Sequence, residues 1–271
     1  MTTARDRLWL FSVAAGTDDT HYGIPLSRVT PVEAAFYLDI PNTMVIVEKN
    51  VPYPTEMYLR AMRPLSQVVW SVVDSGGVHG WADGREVEVL CDLSTRFPNI
   101  TGVYMDDFFN PKGDDGQAGA FSVERLRAIR GQLQMPHRTL KLWAVLYTHQ
   151  VDMGVEKHLE LCDYVSYWTW RADELTDLEK NLSRLEALGV PAEKISLGLY
   201  MWDYGGRRPI PMDLMKRQCE LGLQWLVEGR VDNLCFLGSY LCDLDIEAVE
   251  WTREWIQDIK DRPVPERTNN D

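Results

Sequence analysis

Two adjacent carboxylates, Asp106 and Asp107, close the apolar run Ile100-Thr-Gly-Val-Tyr-Met-Asp-Asp-Phe-Phe109. The run alternates with a period of two, so Gly102, Tyr104 and Asp106 share one face of a strand and Val103, Met105 and Asp107 share the other. The small and polar set suits the crowded inside of a parallel β/α barrel, and the Val/Met set suits packing under helices. In such a barrel the carboxyl ends of the strands face the pocket, where a charged side chain is read as chemistry. The spacing therefore aims Asp106 into a pocket. Paired carboxylates can supply an acid together with a base or nucleophile, the requirement for cleaving a glycosidic bond.

The other apolar runs end in groups of the same kind. Glu48 shares a face with Met44 and Ile46 and is expected to point inward as a third candidate acid. The catalytic set is then Asp106, Asp107 and Glu48, with Asp106 as nucleophile or base and Glu48 or Asp107 as general acid. Asp107 has a second reading as a residue that bonds backbone at the strand-to-helix turn. Tyr147 and His149 follow the fifth run, Trp168 and Trp170 the sixth, Tyr200, Trp202 and Asp203 the seventh, and Tyr240 the eighth. These eight are the expected substrate-binding residues, because flat apolar rings stack on sugars and the polar groups between them fix orientation. Trp168, Trp170, Trp202 and Tyr204 have an alternative reading as a roof over the barrel. Asp74, Asp203 and Asp243 read equally as caps or loop-bonding groups. Trp225, Trp251 and Trp255 lie at core spacing inside helical patterns and are read as structural.

These groups need a scaffold that brings eight chain segments to one rim. Eight short apolar runs are present: Leu8 to Val13, Met44 to Glu48, Val68 to Asp74, Gly102 to Asp106, Leu140 to Tyr147, Tyr164 to Trp168, Ile195 to Met201 and Asn233 to Gly238. Helical patterns or loops separate them, which implies a parallel sheet. Eight units in 271 residues match a single (β/α)8 barrel of the α/β class, for which roughly 250 residues are typical. Thr30-Pro31-Val32-Glu33 reads as a capping box opening a helix over Ala34 to Tyr37. Ser122 opens another, and Asp173 to Leu188, Met212 to Val227 and Ile246 to Ile259 complete the set. The barrel is expected over residues 1–261, with 262–271 a flexible tail.

Composition excludes several function classes. A formal net charge of -13 and the absence of a Lys/Arg cluster argue against nucleic-acid binding. No apolar run reaches the ~18 residues that a membrane helix needs. The amino terminus lacks a secretory pattern, so the expectation is a cytoplasmic protein or one trimmed of its leader. Cys91, Cys162, Cys219, Cys235 and Cys242 are scattered without a C-x-x-C pair and are read as buried thiols. His21, His79, His137, His149 and His158 show no H-x-H or H-E-x-x-H pairing, no nucleotide-binding glycine loop occurs, and no cofactor or metal is expected. A magnesium ion on Asp106, Asp107 and Glu48 is the alternative, since hard cations accept carboxylates alone.

Gly102-Val-Tyr-Met-Asp106 resembles the fourth-strand motif of β/α-barrel glycoside hydrolases, both the chitinase-like group, whose strand reads D-G-x-D-x-D-x-E, and the polygalactosaminidase-like group, whose strand reads G-x-x-x-D. Against the first pattern Gly102 and Asp106 align, Tyr104 replaces an Asp, and Phe108 stands where the acid Glu belongs. The second transfers one carboxylate, Asp106. The resemblance implies a (β/α)8 barrel acting on carbohydrate. Three functions follow as expectations: a glycoside hydrolase, a magnesium-dependent lyase or isomerase acting on a sugar-derived acid, and a barrel that binds carbohydrate or a partner protein without cleaving anything.

Overall fold

The computed structural model describes residues 2–17, 19–48, 51–73, 85–109 and 118–266. Eight parallel strands close into a barrel: β1 (Leu8–Ser12), β2 (Asn42–Val45), β3 (Gln67–Val73), β4 (Ile100–Met105), β5 (Lys141–Tyr147), β6 (Tyr164–Trp168), β7 (Ile195–Tyr200) and β8 (Asn233–Leu237). Each pairs with the next in sequence, and β8 pairs with β1. The fold is the expected single (β/α)8 barrel. All eight expected strands are present, and the second differs most in its bounds. It starts at Asn42, whose side-chain amide donates to the carbonyls of Asp6 (3.0 Å) and Leu8 (2.9 Å), and it ends before Glu48. Glu48 instead exchanges backbone hydrogen bonds with Val51 in an isolated bridge. Its direction is thus set by a turn and not by strand alternation.

Helices cover the barrel: α1 (Pro31–Leu38), α2 (Glu56–Ala61), α3 (Glu86–Ser94), α4 (Val123–Leu133), α5 (Glu156–Leu159), α6 (Leu178–Ala187), α7 (Met212–Glu228) and α8 (Glu247–Ile259). The capping box forms at α1: Thr30 Oγ1 accepts from the Glu33 amide (3.3 Å) and the Glu33 carboxylate accepts from the Thr30 amide (2.8 Å). Ser122 caps α4 in the same manner, accepting from the Arg125 amide at 3.2 Å. The helix expected from Asp173 begins as a 3-10 segment, Ala172–Asp177, and turns α-helical at Leu178. Trp225 is buried, and Trp251 and Trp255 pack partly buried against the core. Among the described residues no helix is long and apolar enough to cross a membrane. Four of the five cysteines are buried, Cys91 is half-exposed, and all are free thiols.

Of the stretch expected as a tail, residues 262–266 are described, and they run beside the amino-terminal segment. The Arg262 carbonyl accepts from the Ala4 amide (2.8 Å), the Val264 amide donates to Thr2, and the Arg7 guanidinium donates to the Pro265 carbonyl (3.0 Å). Residues 267–271 lie outside the described part.

The inside of the barrel is layered with side chains, not hollow. Gly102 serves packing: a Cβ there would sit 2.4 Å from the carbonyl oxygen of Lys141 on the neighbouring strand. Above it the Tyr104 hydroxyl donates to Ser166 Oγ (3.1 Å), which also accepts from Trp168 Nε1 (2.8 Å), while Ser12 and Thr43 join at 2.8 Å. These bonds pair the buried hydroxyls of Tyr104, Ser166, Ser12 and Thr43 and the indole N–H of Trp168, and hold a floor of aromatic rings under the strand ends.

Candidate active site

A cavity of about 450 Å³ opens above that floor, at the carboxyl ends of the strands. That volume lies within the ~300–1,000 Å³ usual for small-molecule sites. Asp106 and Asp107 meet there, as does Glu48. Asp106 is 4% exposed and occupies the inward position that alternation assigns it, with its amide donating to the Val73 carbonyl at 3.3 Å. Alternation would send Asp107 outward under the helices. It does not, because β4 stops at Met105 and Asp107 adopts a left-handed backbone with φ +41°. Asp is among the few non-glycine residues that tolerate that region. The inversion turns Asp107 into the cavity, where its Oδ1 accepts from the Tyr147 hydroxyl at 2.7 Å. The outward position passes to Phe108, which is fully buried against Phe109, Phe121 and His158.

Of the eight expected substrate-binding residues, Tyr147, Trp168, Trp170, Tyr200 and Tyr240 line the cavity. Three do not. His149 is exposed and stacks on the outside of Tyr147, with centroids 5.5 Å apart. Trp202 and Asp203 follow β7 into a two-residue hairpin with Arg208–Pro209, and that turn ends strand alternation. Trp202 Nε1 donates to the Tyr22 carbonyl (3.1 Å). The Asp203 carboxylate accepts from the amides of Ala172 (3.3 Å) and Gly206 (2.9 Å) and from Arg208 Nε (3.1 Å), so it anchors the hairpin. Asp243 likewise bonds backbone, accepting from the Arg28 amide. Asp74 lies outside the described residues.

Asp19 and Tyr22, which the sequence does not single out as site residues, line the cavity, and so does Tyr204, where stacking and roofing are both open in the sequence. Asp19 and Tyr22 sit in the long loop after β1, where no periodicity marks direction. Tyr204 follows Trp202–Asp203 into the turn of the hairpin, where strand alternation has ended, and only the turn decides which of the two rings faces inward. Trp170 is the hub of the resulting aromatic wall, 5.7 Å from Tyr22, 5.8 Å from Tyr147, 6.2 Å from Tyr200 and 5.9 Å from Tyr204 between ring centroids.

The lining is predominantly acidic. Among the described lining residues stand four carboxylates, Asp19, Glu48, Asp106 and Asp107, and no lysine or arginine. Burial, and after it the charges of neighbouring acids and phenols, pushes the Tyr147 and Tyr200 hydroxyls well above the ordinary tyrosine range. Burial does the same to Tyr204 and Tyr240. These four therefore stay neutral hydrogen-bond donors at ordinary pH. Tyr204 and Tyr240 hydroxyls lie 2.5 Å apart, and Tyr240 also bonds the Asp19 carboxylate. A carboxylate only accepts and each phenol has one proton. Tyr240 thus donates to Asp19, and Tyr204 to Tyr240. Two carboxylates on opposite sides of the cavity are in this way each held by a tyrosine hydroxyl. Among the described residues no three His, Cys, Asp or Glu side chains converge closely enough to hold a metal ion.

No protein-family model matches the sequence, and no curated protein matches it either. Solved structures do resemble it in fold. A candidate α-L-fucosidase from Bacteroides thetaiotaomicron superposes with a TM-score of 0.58 at 13% identity, covering 96% of this chain and 98% of its own. An endo-β-N-acetylglucosaminidase from Cordyceps militaris gives 0.56 at 11%, covering 94% and 91%, and the chitinase ICChI from Ipomoea carnea gives 0.53 at 12%, covering 92% and 99%. At such identities the likeness is one of fold: this chain is a (β/α)8 barrel built along the same lines as these three.

Proposed function

We propose that the protein hydrolyses a glycosidic bond. The observation that carries this reading is the gathering of Asp106, Asp107 and Glu48 with a wall of tyrosine and tryptophan rings in one cavity at the end of the barrel where such folds do their chemistry. The rings offer faces for the CH surface of a sugar, the carboxylates accept from its hydroxyls, and one pair of carboxylates performs the cleavage. Asp106, the most buried of the three, is assigned as nucleophile or base. Tyr147 directs its proton at Asp107, which makes Asp107 an acceptor that orients substrate or steadies developing positive charge on the sugar ring. The proton for the leaving oxygen then comes from Glu48, half-buried in the lining of the same cavity.

Phe108, apolar where the chitinase-like pattern has its acid, supports a second reading: a barrel that binds sugars and cleaves none. One experiment separates the two. Purified wild type and Asp106→Asn are assayed for hydrolysis across a broad glycan panel, with tryptophan fluorescence reporting binding. A single general acid or base typically contributes about 10²- to 10⁴-fold, so Asp106→Asn should lose at least that factor in turnover while quenching unchanged. A variant that keeps more than about a tenth of the wild-type rate removes Asp106 from the chemistry. Quenching without hydrolysis in both proteins establishes the binder, and no quenching by any sugar sinks both readings.

A further inference from the structure

The loop between β1 and α1 is fastened at its base, return and tip, and reaches past β8 to the hairpin that follows β7. Its base is closed by the Gly16 amide donating to the Ser27 carbonyl (3.2 Å), and its return by the Arg28 amide on Asp243 (2.8 Å). Its tip is a tight 3-10 turn, Thr20–Tyr22, ended by Gly23 at φ +78°. That tip meets the β7 hairpin twice, through Trp202 Nε1 on the Tyr22 carbonyl (3.1 Å) and the Arg207 guanidinium against His21 Nε2 (3.1 Å). Inside these bonds the Tyr22 ring packs edge-on to Tyr204 at 5.3 Å and to Trp170 at 5.7 Å. Trp170 in turn meets Tyr147. From β1 across to β5, then, the rim is one continuous wall of rings with a hydrogen-bonded clasp behind it.

A polysaccharide cut internally must lie across the barrel end and leave on both sides. The clasp closes one side. Resting on the glycosidase reading above, we infer that the enzyme is exo-acting: the cavity takes the terminal residue of a glycan chain, with Tyr22, Trp170 and Tyr204 as the end wall, and the residue it takes is uncharged. The acidic lining carries the last point, because four carboxylates and no described lysine or arginine line the cavity, and a carboxylated sugar placed there would meet predominantly like charge.

The test uses the full chain and hexasaccharides of glucose, galactose and N-acetylglucosamine tagged at the reducing end, with the 4-methylumbelliferyl glycosides of the same sugars and of glucuronic acid. At low conversion an exo enzyme yields the labelled pentamer alone, or the labelled monosaccharide alone if it works from the other end. Labelled trimers and dimers appearing together from the start would overturn the inference and leave the glycosidase reading intact. Failure to cleave these substrates or any member of the broad glycan panel would instead remove that reading. Glucuronide hydrolysis should be at least tenfold poorer in kcat/KM than the best neutral glycoside, and parity would refute the charge argument. Opening the clasp with Tyr22→Ala and Trp202→Phe together, in protein that keeps its circular dichroism spectrum, should bring internal products into view. A folded double variant that still trims only termini shows that the clasp does not set the pattern.

Discussion

Gly198→Ala tests how tightly the strands position the aromatic floor. Gly198 lies in β7 beside Trp168, and a Cβ built on it would sit 2.1 Å from two atoms of the indole. Carbon atoms settle at ~3.5–4.0 Å, so the ring would have to move by roughly 1.4–1.9 Å. It has nowhere to go. Trp168 is 1% exposed, wedged between Phe11 at 5.9 Å and Tyr200 at 5.0 Å, with its N–H fixed on Ser166 at 2.8 Å. Overpacking of this kind costs about 1–3 kcal/mol, and loss of the indole hydrogen bond adds about 0.5–1.5 kcal/mol. For a domain of this size ~1 kcal/mol moves Tm by roughly 2–4 °C, so a total of ~1.5–4.5 kcal/mol lowers Tm by roughly 3–18 °C. Thermal denaturation measures that shift, and near-UV circular dichroism reports the displaced indole. Because Trp168 also lines the cavity, kcat/KM on the best substrate should fall in the same variant while the barrel remains folded. Adding Trp168→Phe should recover much of the lost Tm, since the clash exists only when both larger side chains are present. Tm within about 2 °C of wild type, with an unchanged near-UV spectrum, would refute the packing argument.

Three further outcomes are expected. Tyr147→Phe deletes the hydroxyl on Asp107, a hydrogen bond to a charged group worth about 1.5–3 kcal/mol, and should lower kcat/KM by roughly 10- to 150-fold; a change within twofold excludes Asp107 from the transition state. Tyr104, Tyr147, Tyr200, Tyr204 and Tyr240 all have hydroxyls raised above the tyrosine value of 10.0. A raised folded value means stability that is whole below the unfolded value and lost as pH climbs above it, so Tm should hold to about pH 9 and fall beyond about pH 10. Phenolate absorbance from these residues should appear with unfolding, and its appearance in folded protein would contradict the assignment. Exhaustive chelation should leave hydrolysis intact, and activity restored only by magnesium would move the protein to the lyase or isomerase class.

The barrel was legible because its signal is local: β4, β5, β6 and β8 alternate or run apolar between turn residues, and α1 and α4 carry caps whose bonds form as read. Asp106 was legible for the same reason, as the next inward position of a regular strand. What escaped were the directions of side chains beyond strand ends. Trp202 and Tyr204 are two residues apart in one hairpin, and the sequence offers no reason to prefer the second as the cavity wall until Arg208–Pro209 is known to pair with Trp202–Asp203. Asp19 and Tyr22 are placed by contacts with Tyr240, Trp170 and Trp202 that lie far off in the chain, and single-sequence periodicity holds no information at that range.

Asp107 joins these two classes of residue. A strand that continued through it would have placed it under the helices, where an ionised carboxylate costs several kcal/mol unless paired. The left-handed turn that avoids this carries strain of about 1–2 kcal/mol for an ordinary L-residue and less for Asp. The Tyr147 bond, at about 1.5–3 kcal/mol, is large enough to offset it, and it forms only in the inverted conformation. Tyr147 on β5 and the turn after β4 thus require each other, and the second carboxylate belongs to the cavity because a neighbouring strand supplies a phenol at 2.7 Å. The same substitution that tests chemistry, Tyr147→Phe, therefore tests the backbone. If the bond holds the turn, the variant loses stability along with activity, whereas lost activity at unchanged Tm would assign the phenol to the reaction alone.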